Sequence, residues 1–191
     1  MKPLNLLKML PRNQPQSSTV GFTMFELMVV ILIIGILSAI AVPGWNSFIN
    51  NQRTRTVNDA VFRALRSAQS DAKLKKRDIT VTFRNEGDLP VVSINNIDET
   101  LNANGEIKAG MVELATGKCA NDDCSNGFTT DTNTNIIFNN QGVIEEEDSL
   151  PFAVTTAIAE GKGAKRCIIV QTILGSMRAA EGDQCPQPDD W

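Results

Sequence analysis

Sixteen residues from Leu27 to Val42, reading LMVVILIIGILSAIAV, carry no charge at all. As a helix they span about 24 Å, short of the roughly 30 Å hydrocarbon core of a bilayer. Adding Phe22 to Glu26 gives 21 residues and about 32 Å, which does span. A crossing helix then draws Glu26 into the apolar slab, where an unpartnered carboxylate costs several kcal/mol. The run is not a plain secretory signal, because such a signal is cut after its apolar region. Here the processing-like site, Thr19-Val20-Gly21, comes first. Cleavage after Gly21 resolves the cost. It leaves Phe22 as a new, positively charged N-terminus, with Glu26 one helical turn away. Glu26 can pair with that amine on its own chain or on a neighbour, and it faces the positive end of the helix dipole. The alternative is an uncleaved signal anchor with a glutamate at its edge.

The chain has no histidine, and no nucleophile motif or glycine-rich phosphate loop accompanies its other side chains. Ser-His-Asp and Cys-His hydrolysis and His-ligated zinc are therefore excluded. We expect no enzyme, no cofactor and no metal. The net charge of −4 is unevenly placed. Residues 1–21 hold +3 and the remainder −7, yet residues 53–78 within it hold +5. An acidic run occupies Glu145 to Asp148. That run, or Asp122 with Asp123, has no calcium-loop spacing and is expected to be solvated.

Gly21-Phe22-Thr23-Met24-Phe25-Glu26-Leu27, followed by the apolar run and Pro43, resembles the prepilin N-terminus of type IV pilins and type II secretion pseudopilins. The match covers glycine before the cut, phenylalanine after it, threonine next, glutamate fifth and proline twenty-second. The resemblance implies cleavage between Gly21 and Phe22 by a prepilin peptidase, N-methylation of Phe22, and a helix that builds a filament core with Glu26 in assembly. Two further stretches are similar to GspH/FimT-like minor pilins. One is Ile136-Ile137-Phe138-Asn139-Asn140-Gln141-Gly142. The other is Arg166 to Arg178, a strand followed by Gly175-Ser176-Met177-Arg178 where that family has G-R-x-R. Ser176 replaces the first arginine. Some members bind DNA near this hairpin, which makes Lys165, Arg166 and Arg178 candidate DNA contacts.

The expected organisation is a leader at 1–21, a transmembrane and filament-core helix at 22–45, and a periplasmic globular domain at 46–191 in which the helix continues to about residue 77. Pro43-Gly44 is expected to kink or locally melt the helix. Beyond it, Val57, Ala60, Val61, Ala64, Leu65, Ala68 and Ala72 recur at helical spacing, with Arg53, Arg55, Arg63, Arg66 and Lys73 facing out. Gly35 and Ala39 make a small-xxx-small pair suited to close helix approach, or simply to a membrane helix. The period then changes to two: Ile79, Val81 and Phe83 alternate with polar residues. Asn85 to Asp88 turn the chain into a return strand at 91–94. In the polar stretch 95–135 only Met111 to Leu114 reads as strand. Residues 136–144, 152–158 and 166–174 read as further strands, and 181–191 as loop unless tethered. The fold class is α+β, a long N-terminal helix packed on antiparallel sheet, pilin-like.

The even set Cys119, Cys124, Cys167 and Cys185 in a translocated domain argues for two disulfides, with three possible connectivities. Proximity favours Cys119–Cys124, which leaves Cys167–Cys185 to staple the acidic tail to the last strand. A four-thiolate metal site is the rival reading. The sequence thus points to a minor pilin or pseudopilin of the inner membrane, carried into a pilus or secretion filament as a structural, priming or tip subunit. Its expected partners are other pilin subunits, the prepilin peptidase, the membrane and DNA. The alternative is a membrane-anchored periplasmic binding module outside any filament, which a sizeable apolar pocket would favour.

Overall fold

The computed structural model describes residues 21–120, 124, 128, 135–145, 150–159 and 163–186. Residues 1–20 of the expected leader, the acids Asp122, Asp123 and Glu146 to Asp148, and Lys162 lie outside the described residues. The chain divides into two units, Met1–Ala41 and Val42–Trp191. Helix α1, Met24–Lys75, supplies all the described helix of the first unit and continues in the second. It is shorter at both ends than expected. Thr23 caps its start, accepting a hydrogen bond at Oγ1 from the backbone N–H of Glu26 at 3.2 Å. At the other end Lys76 adopts φ 52°, and that left-handed residue stops the helix before residue 77.

In the second unit α1 buries Val57, Val61, Leu65, Ala68 and Ala72. These are five positions of the 3.6-residue period. The buried face also takes Thr54, Asn58 and Gln69, which no hydrophobic pattern marks. Arg53, expected outside, is half-buried and hydrogen-bonded to Asn50.

Two antiparallel sheets receive this face. The first contains β1 (Ile79–Glu86), β2 (Leu89–Ile94), β3 (Ile97–Thr100) and β5 (Asn135–Phe138), in the order β3-β2-β1-β5. The second contains β4 (Val112–Lys118), β6 (Phe152–Ile158), β7 (Arg166–Val170) and β8 (Met177–Glu181), in the order β4-β6-β7-β8. The core draws Ile79, Val81, Phe83 and Phe138 from the first sheet and Val112, Phe152, Val154 and Ile168 from the second, closed over by α1. Asn85 joins the sheets. Its Nδ2 donates to the Leu114 carbonyl at 2.9 Å, and the Leu114 N–H donates to its Oδ1 at 3.0 Å. A side-chain amide thus stands in for a strand neighbour.

Two strands differ from the sequence reading by their presence. All four residues of β3 are exposed, so no apolar alternation announces it. β8, MRAAE, is poor in β-branched residues and is fixed by pairing with β7 from Val170↔Met177 to Arg166↔Glu181. Two others are shorter. β5 ends at Phe138 because the Asn139 side chain accepts from the N–H groups of Gln141 and Val143 and makes a turn. β7 ends at Val170 because residues 171–176 close the hairpin through Gln171 N–H to Ser176 O at 2.9 Å.

The face of the second sheet turned away from α1 has its own apolar cluster: Ala153, Ile169, Ala180 and all four cysteines, with Phe128 against it. The cysteines form disulfides Cys119–Cys124 and Cys167–Cys185. No thiolate is left for the rival metal site. The second bridge anchors the segment after β8. The Thr155 hydroxyl holds the same segment by donating to the Pro186 carbonyl at 2.6 Å.

Candidate assembly site

The head of the chain is built for contact with something apolar. Every large hydrophobic side chain from Phe22 to Ile40 is exposed, Phe22 by 81% and Met24 by 91%. Burying one such side chain stabilises by about 1.5–3 kcal/mol. A helix apolar all round belongs in lipid or among other helices. Neither part of α1, Met24–Ile40 or Gly44–Lys75, is by itself long and apolar enough to cross a membrane; the two taken together, across a break at residues 41–43, meet that length and composition. Gly35 is open, with no heavy atom within 4 Å of where its Cβ would stand, so this face can accept a closely approaching helix.

Gly21 and Phe22 precede the helix and are exposed, which leaves the bond between them accessible. Thr23 and Glu26 stand in the Thr-x-x-Glu spacing of a capping box, and the hydrogen bond from Glu26 N–H to Thr23 Oγ1 is one half of that motif. The bond gives the Thr23 side chain a local structural role, in which Glu26 takes part through its backbone. The Glu26 carboxylate lies in the first turn, favoured by the helix dipole.

The second group of candidate residues is not gathered into a site. Arg166 pairs with Glu181 across the β7–β8 ladder through Nη1 and Oε1. Arg178 lies opposite Ile169, three strand positions from Arg166, so the two arginines start from opposite faces of the sheet. Lys165, Arg166 and Arg178 are all half-buried. Two grooves among the described residues of the second unit are small and charged. One of about 270 Å³ lies between Arg53, Thr56 and Glu106; one of about 180 Å³ lies between Asp71, Arg77 and Glu99. Neither reaches the volume usual for a small-molecule site.

The glycines of the two C-terminal motifs occupy special positions. Gly142 and Gly175 both have φ +72°, a conformation that side chains rarely adopt. A Cβ on Gly142 would stand 2.3 Å from the Lys73 side chain, and one on Gly175 would stand 2.3 Å from Nε2 of Gln69. Both turns are therefore seated against α1.

No family model matches the chain. It is 43% identical over 60 residues to fimbrial proteins of Pseudomonas aeruginosa, covering 31% of this chain and 38% of theirs. The chain thus spans well under half the length of those relatives. It is 33% identical over 121 residues to fimbrial protein Q of Moraxella bovis, covering 58% of this chain and 76% of that one. Among solved structures it is similar to the minor pseudopilin EpsH of the type 2 secretion system of Vibrio cholerae, with TM-score 0.43 and 11% identity, over 67% of this chain and 96% of that one.

Proposed function

We propose that this chain, which belongs to the type IV pilin-like family, is a membrane-inserted precursor that becomes a filament subunit after cleavage between Gly21 and Phe22. The observation that carries this reading is the bare apolar helix headed by Thr23 and Glu26. Its exposed side chains need other helices or lipid, and its one acid stands where a freed Phe22 amine can meet it. Insertion places residues 46–191 outside the inner membrane, where cysteines oxidise. Assembly then moves the helix from lipid into a bundle of like helices. The role is structural, with no catalysis of its own. Within it we favour a minor subunit, on the likeness of the 136–142 and 166–178 stretches to GspH/FimT-like pilins. We do not extend the reading to DNA, because Arg166 is paired and faces away from Arg178.

Mass spectrometry of the mature N-terminus tests the first step. We expect a chain that begins at a methylated Phe22; a start at Met1 refutes the reading. Glu26→Ala tests the second. The variant should insert and be cleaved but stay out of filaments, and normal incorporation removes the pairing role.

A further inference from the structure

The groove beside Arg53 holds two opposite charges apart. Its α1 wall is Ile49, Gln52, Arg53 and Thr56. The facing wall is Glu106 and Ile107, from the connection between β3 and β4. Arg53 is half-buried, Ile107 buried and Glu106 exposed. Among the described residues no ion pair joins Arg53 to Glu106, although both border the same space of about 270 Å³. Arg53 Nη1 donates to Asn50 Oδ1 at 3.2 Å, which leaves the rest of its donor fork for a ligand. A guanidinium and a carboxylate that share a groove without closing on each other suit a group that carries both charges: an anion for Arg53, a cation for Glu106. The space takes a few heavy atoms, not a whole drug-sized ligand.

The same stripe of α1 leads toward the apolar run. At 100° per residue, positions 45, 48, 49, 52, 53 and 56 fall within an arc of about 140°. Trp45 and Phe48 are exposed by 65% and 60%, and their ring centroids lie 6.1 Å apart. Val42 ends the apolar run, and Ile49 follows it by seven residues, about 11 Å of helix. The headgroup layer on each side of a bilayer core is about 5–7 Å deep. The aromatic pair therefore comes at the level where interfacial rings settle, and the groove opens at the outer edge of that layer.

We infer that this groove is a site for the zwitterionic headgroup of an aminophospholipid such as phosphatidylethanolamine in the periplasmic leaflet. Arg53 takes the phosphate, with the Gln52 amide beside it, and Glu106 takes the ammonium. The acyl chains stay in the bilayer, which is why a small groove suffices. The inference rests on the membrane-inserted stage of the reading above and names the lipid that holds the chain there before assembly. Phosphatidylglycerol would answer Arg53 but bring Glu106 no cation. Phosphatidylcholine has no N–H to give the carboxylate.

Native mass spectrometry of the full chain, in nonionic detergent with equal amounts of these three lipids on the same acyl chains, tests it. Phosphatidylethanolamine should be retained about fivefold over either competitor, the worth of one or two exposed charge pairs. Glu106→Gln should remove its advantage over phosphatidylglycerol, and Arg53→Gln should cut its retention about fivefold. Arg66→Gln, outside the groove, should leave the preference unchanged. Mobility on a non-reducing gel checks that each variant is folded with its disulfides closed. Equal retention of the three lipids overturns the inference, as does a preference for phosphatidylglycerol or one that survives both groove variants. Displacement of the lipid by O-phosphoethanolamine at the same concentration also overturns it, since the groove would then serve a soluble ligand. Carbonate washing of native membranes separates the two levels of the argument. A chain that stays embedded but shows no headgroup preference refutes the headgroup site alone. A chain that washes off refutes the membrane-inserted reading beneath it.

Discussion

Gln69 donates from Nε2 to the carbonyl of Leu174 at 2.9 Å. The same nitrogen reaches the Gly142 carbonyl at 3.0 Å. One buried amide on α1 therefore pins two turns that lie 32 residues apart in the chain, one following β5 and the other joining β7 to β8. A buried polar group that loses its partner costs about 1–3 kcal/mol. Gln69→Ala should lower stability by an amount in that range, read as a shift in the denaturant midpoint of the purified chain in detergent.

Gly175→Ala should destabilise at least as much, from the left-handed backbone and the approach to Gln69. The two effects share one contact. In the double variant Gln69→Ala/Gly175→Ala the total should therefore fall below the sum of the singles by about 0.5–3 kcal/mol. Strict additivity would show that the turn does not rest on Gln69.

Thr23 and Glu26 are separable. Thr23→Ala removes a helix cap at a cost of about 1 kcal/mol and should fray the first turn while leaving filament entry intact. Glu26→Gln keeps the backbone N–H that bonds to Thr23 and loses the charge. It should match Thr23→Ala poorly: cleaved and helical, but absent from sheared filaments. Filament entry by both variants would remove any role of the Glu26 charge in assembly.

The disulfides differ in what they close. Cys119–Cys124 encloses a separation of five residues and Cys167–Cys185 one of eighteen. Loop entropy alone puts them at about 2 and about 3 kcal/mol. Cys167→Ser/Cys185→Ser should lower Tm more than Cys119→Ser/Cys124→Ser, and should also make the chain after β8 sensitive to protease.

The Asp98 carboxyl is held below the usual carboxylate range, first by the Ser93 hydroxyl and then by the Arg84 guanidinium. A carboxylate lowered on folding favours the folded state above its unfolded pKa, and that gain is lost as pH falls through the folded value. Asp98→Asn should therefore flatten the stability profile below about pH 4, its loss of stability being full at neutral pH and fading as pH falls. The group is exposed, so the effect is small, and 0.5 M salt should shrink it further.

The helix stripe and the first strand were legible because burial there follows a clean period: Val57, Val61, Leu65, Ala68 and Ala72 in one, Ile79, Val81 and Phe83 in the other. β3 was not, because an all-exposed edge strand obeys no hydrophobic rule. Its turn left a local signal all the same. Asn95 and Asn96 take φ 50° and 66°, the left-handed pair of a tight hairpin that asparagine tolerates. β8 and Gln69 left no such signal. Each takes its place from partners far along the chain, β7 for one and two carbonyls for the other. At the assembly site the motif around Gly21 and Glu26 was plain in the sequence, whereas the cap made by Thr23 needed the hydrogen bond to be seen.

Sulfur, and not a helix, seals the outer side of the second sheet. A strong reductant should thus undress that side while the layer beneath α1 stays shut. The protein would have a vulnerable back and a durable front, and a fibre made from it would keep its finish only in surroundings that hold the bridges closed.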